Sequence, residues 1–255
     1  MGDVVAGAYI LRSPLGHGGM GVVFEAEVGG RIVAIKLLHD LDDRDAARRI
    51  RTEGIAARFI SHVNVVSVLD YSDDARAPFV VMERIDGVSL GALIREQGAM
   101  SLRRAARLGV QVLAGLTAAH AAGVVHADIK SDNILISGET AKIIDFGLAS
   151  IHRIDHPVAG PACDDHGRLL MSGTPEYMAP EVIRGDGAVA ASDLYAVGVI
   201  LYEMLTGRTP FSGGPPQATL ERHLDEHVMP PSLRRPDRII PRTLERVIMR
   251  ALEKA

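Results

Sequence analysis

Between residues 22 and 28 apolar and polar positions alternate. Val22, Phe24, Ala26 and Val28 fall on one face, Val23, Glu25 and Glu27 on the other. A period of two predicts a half-buried strand. Gly29-Gly30 interrupts the run, and two glycines between alternating runs predict a hairpin. "RIVAIKLL" is then the return strand, with Ile32, Ala34 and Lys36 on one face. A charged helical segment is predicted over 43–59, with Ile50, Ile55 and Ala57 among its apolar positions. Gly54 inside it costs ~1 kcal/mol relative to Ala, so this helix should be soft. "VNVVSVLD" and "FVVME" predict two further strands, and "RIDG" a linker.

From about residue 88 the period changes. Ser101 is a favourable N-cap, and Leu102, Ala105, Gly109, Val112, Leu113, Leu116 and Ala119 recur at helical spacing until Gly123. "SDLYAVGVILYEMLTG" predicts an almost wholly apolar helix, ended by Gly207 with Pro210 beyond it. A helix apolar all round belongs in the middle of a fold. A last helix is predicted from Pro241, with Leu244, Val247, Ile248, Ala251 and Leu252 on one face. There are no internal repeats. A sheet-rich part followed by a helix-rich part predicts two lobes with a cleft between them.

Composition narrows the functional classes. The 255 residues suit one bilobal unit, and 47% hydrophobic residues supply a sizeable core. A net charge of −4 gives no basic footprint for nucleic acid, and aromatics at 4% without Trp supply few stacking platforms. Cys163 is the single cysteine, so no intrachain disulfide forms and a reducing, cytoplasmic setting is expected. The "CDDH" run at 163–166 reads as a solvated loop, because contiguous residues rarely converge on one ion. "MGDVVAG" lacks the basic and apolar regions of a signal peptide, and Ala6 disfavours myristoylation. The longest apolar stretches are too short to span a membrane.

Three short motifs carry chemistry. "GHGGMG" places Gly16, Gly18 and Gly21 in a G-x-G-x-x-G pattern. A strand and hairpin follow rather than a helix, which argues against a dinucleotide-binding fold. Val22-Val23 in place of Lys-Ser/Thr argues against a Walker A loop. What remains is a flexible hairpin able to approach phosphates, or an ordinary glycine-rich turn. "VAIK" ends at Lys36, whose ammonium needs a partner if it faces a cleft; Glu53 is the candidate. "HADIKSDN", residues 126–133, puts Asp128, Lys130 and Asn133 on one short loop. An acid, a base and an amide at that spacing point to phosphoryl transfer.

Together with "DFG" at 145–147 and "GTPEYMAPE" at 173–181, these motifs stand in an order that resembles the eukaryotic-type (Hanks-type) protein kinase family. The resemblance covers almost the whole chain. Its length and "MERIDGVSL" look like the bacterial Ser/Thr members. It implies an α+β bilobal fold: a small antiparallel β-sheet N-lobe with one main helix (1–82), a hinge (83–87) and a mostly helical C-lobe (88–255) lacking the final helix. It implies ATP and Mg2+ as cofactors, with Mn2+ as an alternative ion, and proteins bearing Ser or Thr as substrates. Lys36 would hold the α/β-phosphates and Glu53 orient it. Gly16, Gly18 and Gly21 would cover the phosphates. Asn133 and Asp145 would hold the metal. Asp128 would accept the substrate hydroxyl's proton, and Lys130 would offset γ-phosphate charge. Adenine would lie between Val23 and Ala34 above and Leu135 below, next to Leu15. Its edge would meet the backbone at Glu83 and Ile85, with Met82 behind. His126 would be a packing residue against Phe146, Asp193 would pin the catalytic loop, and Thr174 would sit near Asp128 and Lys130. Ser150 and Ser172 are the candidate autophosphorylation sites.

The sequence departs from the family at three places. Ala127 stands where most regulated members carry an arginine that pairs with a phosphate on the activation segment. An active kinase weakly dependent on that phosphorylation is therefore expected. Ser131 stands where many relatives have Pro. The chain stops at "ALEKA", before the helix whose arginine pairs with the glutamate here numbered Glu181. Unless the chain is a fragment, Arg246, Arg250 or another residue would have to substitute. Two alternatives compete with a protein kinase. A nucleotide-binding pseudokinase or scaffold predicts the loss of a catalytic polar residue, and a small-molecule kinase predicts no "GTPEYMAPE" platform.

Overall fold

The computed structural model describes residues 3–18, 21–38, 58–72, 78–146, 150–151 and 174–254. The N-terminal lobe is one antiparallel sheet of β1 (Val4–Val5), β2 (Tyr9–Gly18), β3 (Gly21–Val28), β4 (Arg31–Leu38), β5 (Val68–Tyr71) and β6 (Phe79–Glu83). Their spatial order is β1-β2-β3-β4-β6-β5. The β3–β4 hairpin turns at Gly29 and Gly30, with φ of 54° and 76°, values that suit residues without a Cβ. Its register pairs Val23 with Lys36 and Ala26 with Val33. Alternation then sorts the side chains. Tyr9, Ala26, Val33, Ile35, Phe79 and Val81 form a core on one face. Ala34, Val80 and Met82 pack with Val66 on the other. Register shifts in β2 flank Pro14, which has no N–H for the ladder.

The predicted strand at 63–70 forms only from Val68. Upstream, the Val66 N–H donates to the Ile143 carbonyl and the Ile143 N–H to the Asn64 carbonyl, both at 2.9 Å. The Asn64 amide also donates to the Ala141 carbonyl at 2.7 Å. These bonds tie residues 64–66 to the second lobe and override their strand propensity. The predicted helix at 43–59 lies outside the described residues up to position 57.

The second lobe contains β7 (Val88–Ser89), α1 (Leu90–Gln97), α2 (Leu102–Ala121), β8 (Val124–Val125), β9 (Ile134–Ser137), β10 (Thr140–Ile143) and β11 (Ser150–Ile151). Then follow α3 (Pro180–Arg184), α4 (Ala190–Thr206), α5 (Pro216–Asp225), α6 (Pro231–Arg234) and α7 (Arg242–Ala251). Single 3-10 turns form at Ser131–Asn133 and Pro175–Tyr177. The Ser101 hydroxyl caps α2 by accepting the Arg104 N–H, as its sequence position predicts. From Tyr195 to Thr206 every residue of α4 is buried, so this helix is the axis of the lobe. Helix α7 rests on it where Gly198 leaves room: a Cβ there would lie 2.9 Å from the Ala251 Cβ. That close line of approach buries Ile248 and Leu252, whereas Val247, predicted on the packed face, is 56% exposed. Among the described residues no helix is long and apolar enough to cross a membrane.

Candidate active site

Between the lobes lies a cavity of about 230 Å³. Its apolar walls are Leu15, Gly16, Val23 and Ala34 from the first lobe, with Leu135 and Ile144 opposite. Met82, Glu83, Arg84 and Ile85 form its inner edge, and Lys36 and Asp145 stand at its polar end. Nine of the residues that the sequence assigned to nucleotide binding line this one space. Gly18 and Gly21 do not line it; they pair at the tip of the β2–β3 hairpin. Val66, Arg84 and Ile144 also line it and were not anticipated. Ile144 could have been, since it directly precedes Asp145. The Arg84 Nε donates to the Glu25 carboxylate at 3.2 Å, a contact across 59 positions that no local motif signals.

Strand β4 carries Lys36 inward, and its Nζ donates to the Asp145 carboxylate at 2.6 Å. Lys36 is buried, whereas the Asp145 side chain is 38% exposed. Asp145 has a φ of 64°, a left-handed conformation rare for a residue with a Cβ. Glu53, the expected partner of Lys36, lies outside the described residues, as do Gly147, Ser172 and the 163–166 cluster. Ser150 pairs with Val125 in the two-stranded β11–β8 ladder. The Glu83 N–H donates to the Ser67 carbonyl, and the Glu83 carboxylate accepts from Lys142 at 2.7 Å. Burial pushes that carboxyl up, but Lys142 and the Ser67 N–H outweigh it and hold it below its usual range.

The loop after β8 is built around a buried histidine. The His126 ring lies 4.6 Å from the Phe146 ring. Its Nδ1 accepts the Asp128 N–H, so Nε2 carries the proton, 3.1 Å from the Ile144 carbonyl. Ala127 has a φ of 66°. The Asp193 carboxylate, 1% exposed at the start of α4, holds this turn. It accepts the His126 N–H and the Ala127 N–H, each at 2.9 Å, and bonds His120 Nε2 at 2.8 Å. Asp128 follows. Its Oδ2 accepts from Lys130 Nζ at 2.7 Å, and the Asn133 amide donates to its backbone carbonyl at 2.9 Å and to Oδ2 at 3.2 Å. The structure thus gathers Asp128, Lys130 and Asn133 into one bonded cluster. The Asn133 carbonyl accepts the Ile144 N–H, which brings this cluster beside Asp145. With its amide nitrogen committed as a donor, Asn133 has its side-chain oxygen left to accept or to ligate a cation. An amide oxygen and the Asp145 carboxylate are hard ligands, a donor set that fits a hard divalent cation.

Thr174 and Asp128 line a second, water-sized cavity of about 30 Å³ together with Ala127 and Tyr177. Glu181 is half-buried rather than buried, and its carboxylate accepts the Ser192 hydroxyl at 2.5 Å. Arg246 and Arg250 are exposed, and among the described residues neither pairs with it.

A family model described as protein kinase domain matches residues 9–253. Serine/threonine-protein kinase pkn3 of Myxococcus xanthus is 38% identical over 264 residues, an alignment covering 100% of this chain and 48% of that protein. Serine/threonine-protein kinase PksC of Streptomyces coelicolor is 36% identical over 98% of this chain and 46% of its own length. The probable serine/threonine-protein kinase PknB of Lactococcus lactis is 32% identical over 100% of this chain and 40% of its own. The chain spans less than half the length of these relatives.

Proposed function

The chain belongs to the protein kinase domain family, and from that premise we propose that it transfers the γ-phosphoryl group of ATP to serine and threonine hydroxyls of proteins. The observation that carries this reading is the bonded cluster of Asp128, Lys130 and Asn133 beside the Lys36–Asp145 pair, at the polar end of a cavity with apolar walls. Its similarity to serine/threonine-protein kinases supports the Ser/Thr preference. Residues 1–82 and 88–255 form the two lobes in this reading, with 83–87 as the hinge.

Each side chain then has a task. The cavity walls sandwich the adenine, and Lys36 bonds the phosphates. Asp128, held in one orientation by Lys130 and Asn133, points the substrate hydroxyl at the γ-phosphorus and accepts its proton. The hydroxyl oxygen bonds phosphorus as the bond to the β–γ bridging oxygen breaks, and ADP leaves. Lys130 offsets charge on the transferred group. A positioned general base contributes about 10²–10⁴ in rate, and the remainder comes from placement and electrostatics. Asn133 and Asp145 would hold magnesium, or manganese, which when bound neutralises phosphate charge. Ala127 removes an arginine but none of these groups, so activity should depend weakly on activation-segment phosphate.

The reading is tested by offering γ-labelled ATP with Ser-, Thr- and Tyr-containing peptides and, separately, a pool of hydroxylated metabolites. Label on Ser and Thr peptides, lost in Lys36→Met, is expected. Label on metabolites alone would overturn it.

A further inference from the structure

A buried chain of polar groups runs from the catalytic loop through residues 174–181 to the central helix. The Ser131 hydroxyl lies 2.9 Å from the Tyr177 hydroxyl, which donates to the Glu203 carboxylate at 2.8 Å. Tyrosine has one proton, and it goes to Glu203, so Ser131 donates to the tyrosine oxygen. Ser131 is 1% exposed and Glu203 9%. Burial pushes the Glu203 carboxyl up, and the bond from Tyr177 opposes that shift. Among the described residues, Ser131–Tyr177 is the one side-chain hydrogen bond joining loop 126–133 to segment 174–181. Ala127, on the other side of Asp128, offers only a methyl group. Ser131 cannot easily swing away. Helix α1 presses on it so closely that a Cβ at Gly91 would lie 2.9 Å from its Oγ. Its neighbour Lys130 and the nearby Asn133 are both bonded to Asp128.

We propose that Ser131 is a positioning residue whose hydroxyl latches the peptide-binding platform to the catalytic loop, seating the platform without any phosphate on the activation segment. Withdrawing Tyr177 would leave the Ser131 hydroxyl and the Glu203 carboxylate buried and short of a partner, so the latch favours one arrangement over partial displacement. The inference deepens the kinase reading and rests on it for its catalytic consequence, but the latch itself does not require catalysis.

The test compares the parent with Ser131→Ala, Tyr177→Phe and the double variant, by steady-state kinetics and by amide hydrogen exchange. Ser131→Ala should lower kcat/KM for a Ser/Thr peptide roughly tenfold, the size of one lost buried hydrogen bond, while KM for ATP stays within about twofold. The double variant should be no worse than the poorer single one, because both changes break the same chain. Exchange at the Tyr177 and Met178 amides should quicken about fivefold or more in Ser131→Ala. Unchanged peptide kcat/KM, an equal rise in KM for ATP, or multiplying effects in the double variant would overturn the proposal. So would unchanged exchange. If the parent transfers no phosphate, the kinase reading fails, and the exchange comparison still decides the latch.

Discussion

Replacing Asp193 by Asn tests whether a single buried carboxylate shapes the catalytic loop. The perturbation keeps the shape and removes one acceptor oxygen. In the parent, one oxygen accepts the Ala127 N–H and the other accepts the His126 N–H and contacts His120. An Asn amide must aim its NH2 group at one of these donors, leaving that N–H buried without an acceptor. A hydrogen bond to a charged group contributes about 1.5–3 kcal/mol, and a stranded buried donor costs a further 1–3 kcal/mol. A loss of about 3 kcal/mol is therefore expected, equivalent to a fall in Tm of roughly 6–12 °C for a chain of this size. Catalysis should fall further than stability implies. Ala127 holds a left-handed conformation that costs about 1–2 kcal/mol, and the two N–H bonds to Asp193 are what sustain it. Once released, the turn relaxes and Asp128 moves; displacements of about 1 Å cost on the order of 100-fold in rate. Urea unfolding and peptide phosphorylation, run on the same preparation, read both effects. Asp193→Asn within about 1 kcal/mol of the parent, or a normal rate at normal stability, would refute the reasoning.

Ala34→Leu puts a larger side chain into the cavity wall, and Kd for ATP should rise more than about tenfold with little change in urea midpoint; calorimetric titration measures it. His223 is fully buried, with Nδ1 accepting the Tyr195 hydroxyl at 2.7 Å and Nε2 facing the Glu176 carbonyl, so the fold requires it neutral. Burial lowers its pKa from 6.5 to about 4. The unfolded chain therefore binds a proton first on acidification, and the stabilisation present above about pH 6.5 is lost towards pH 4. That amounts to ~3 kcal/mol, and Tm between pH 7.5 and 5 should fall more steeply in the parent than in His223→Gln. Phosphatase treatment should leave peptide phosphorylation within about tenfold of the untreated protein, because Ala127 has no charge to pair with a phosphate; a larger drop in initial rate contradicts that view.

Strands β3 and β4 were legible because each has a core on one side and the cleft on the other, so alternation survives in the sequence. The central helix was legible for the opposite reason: it is buried all round. Residues 63–67 misled because their valines suit a strand, while their backbone is claimed by Ile143, far along the chain. Val247 misled because periodicity marks every apolar position, whereas the close approach at Gly198 buries only those on one line. The grouping of Asp128, Lys130 and Asn133 was readable because they stand within six positions on one loop, and the fold bonds them together. The Ser131–Tyr177 bond was not: it spans 46 positions and joins two ordinary hydroxyls, and only the folded chain brings them together.

The most direct test of the account is intact-mass spectrometry of the protein after incubation with ATP, magnesium and a Ser/Thr-rich protein substrate, alongside Asp128→Asn. Phosphate increments are expected with the parent and should vanish with Asp128→Asn, while ATP still raises the Tm of both. Increments that persist in the variant would remove Asp128 from the chemistry. No increments with the parent, despite an ATP-dependent rise in Tm, would contradict the central claim and leave a nucleotide-binding protein without transfer.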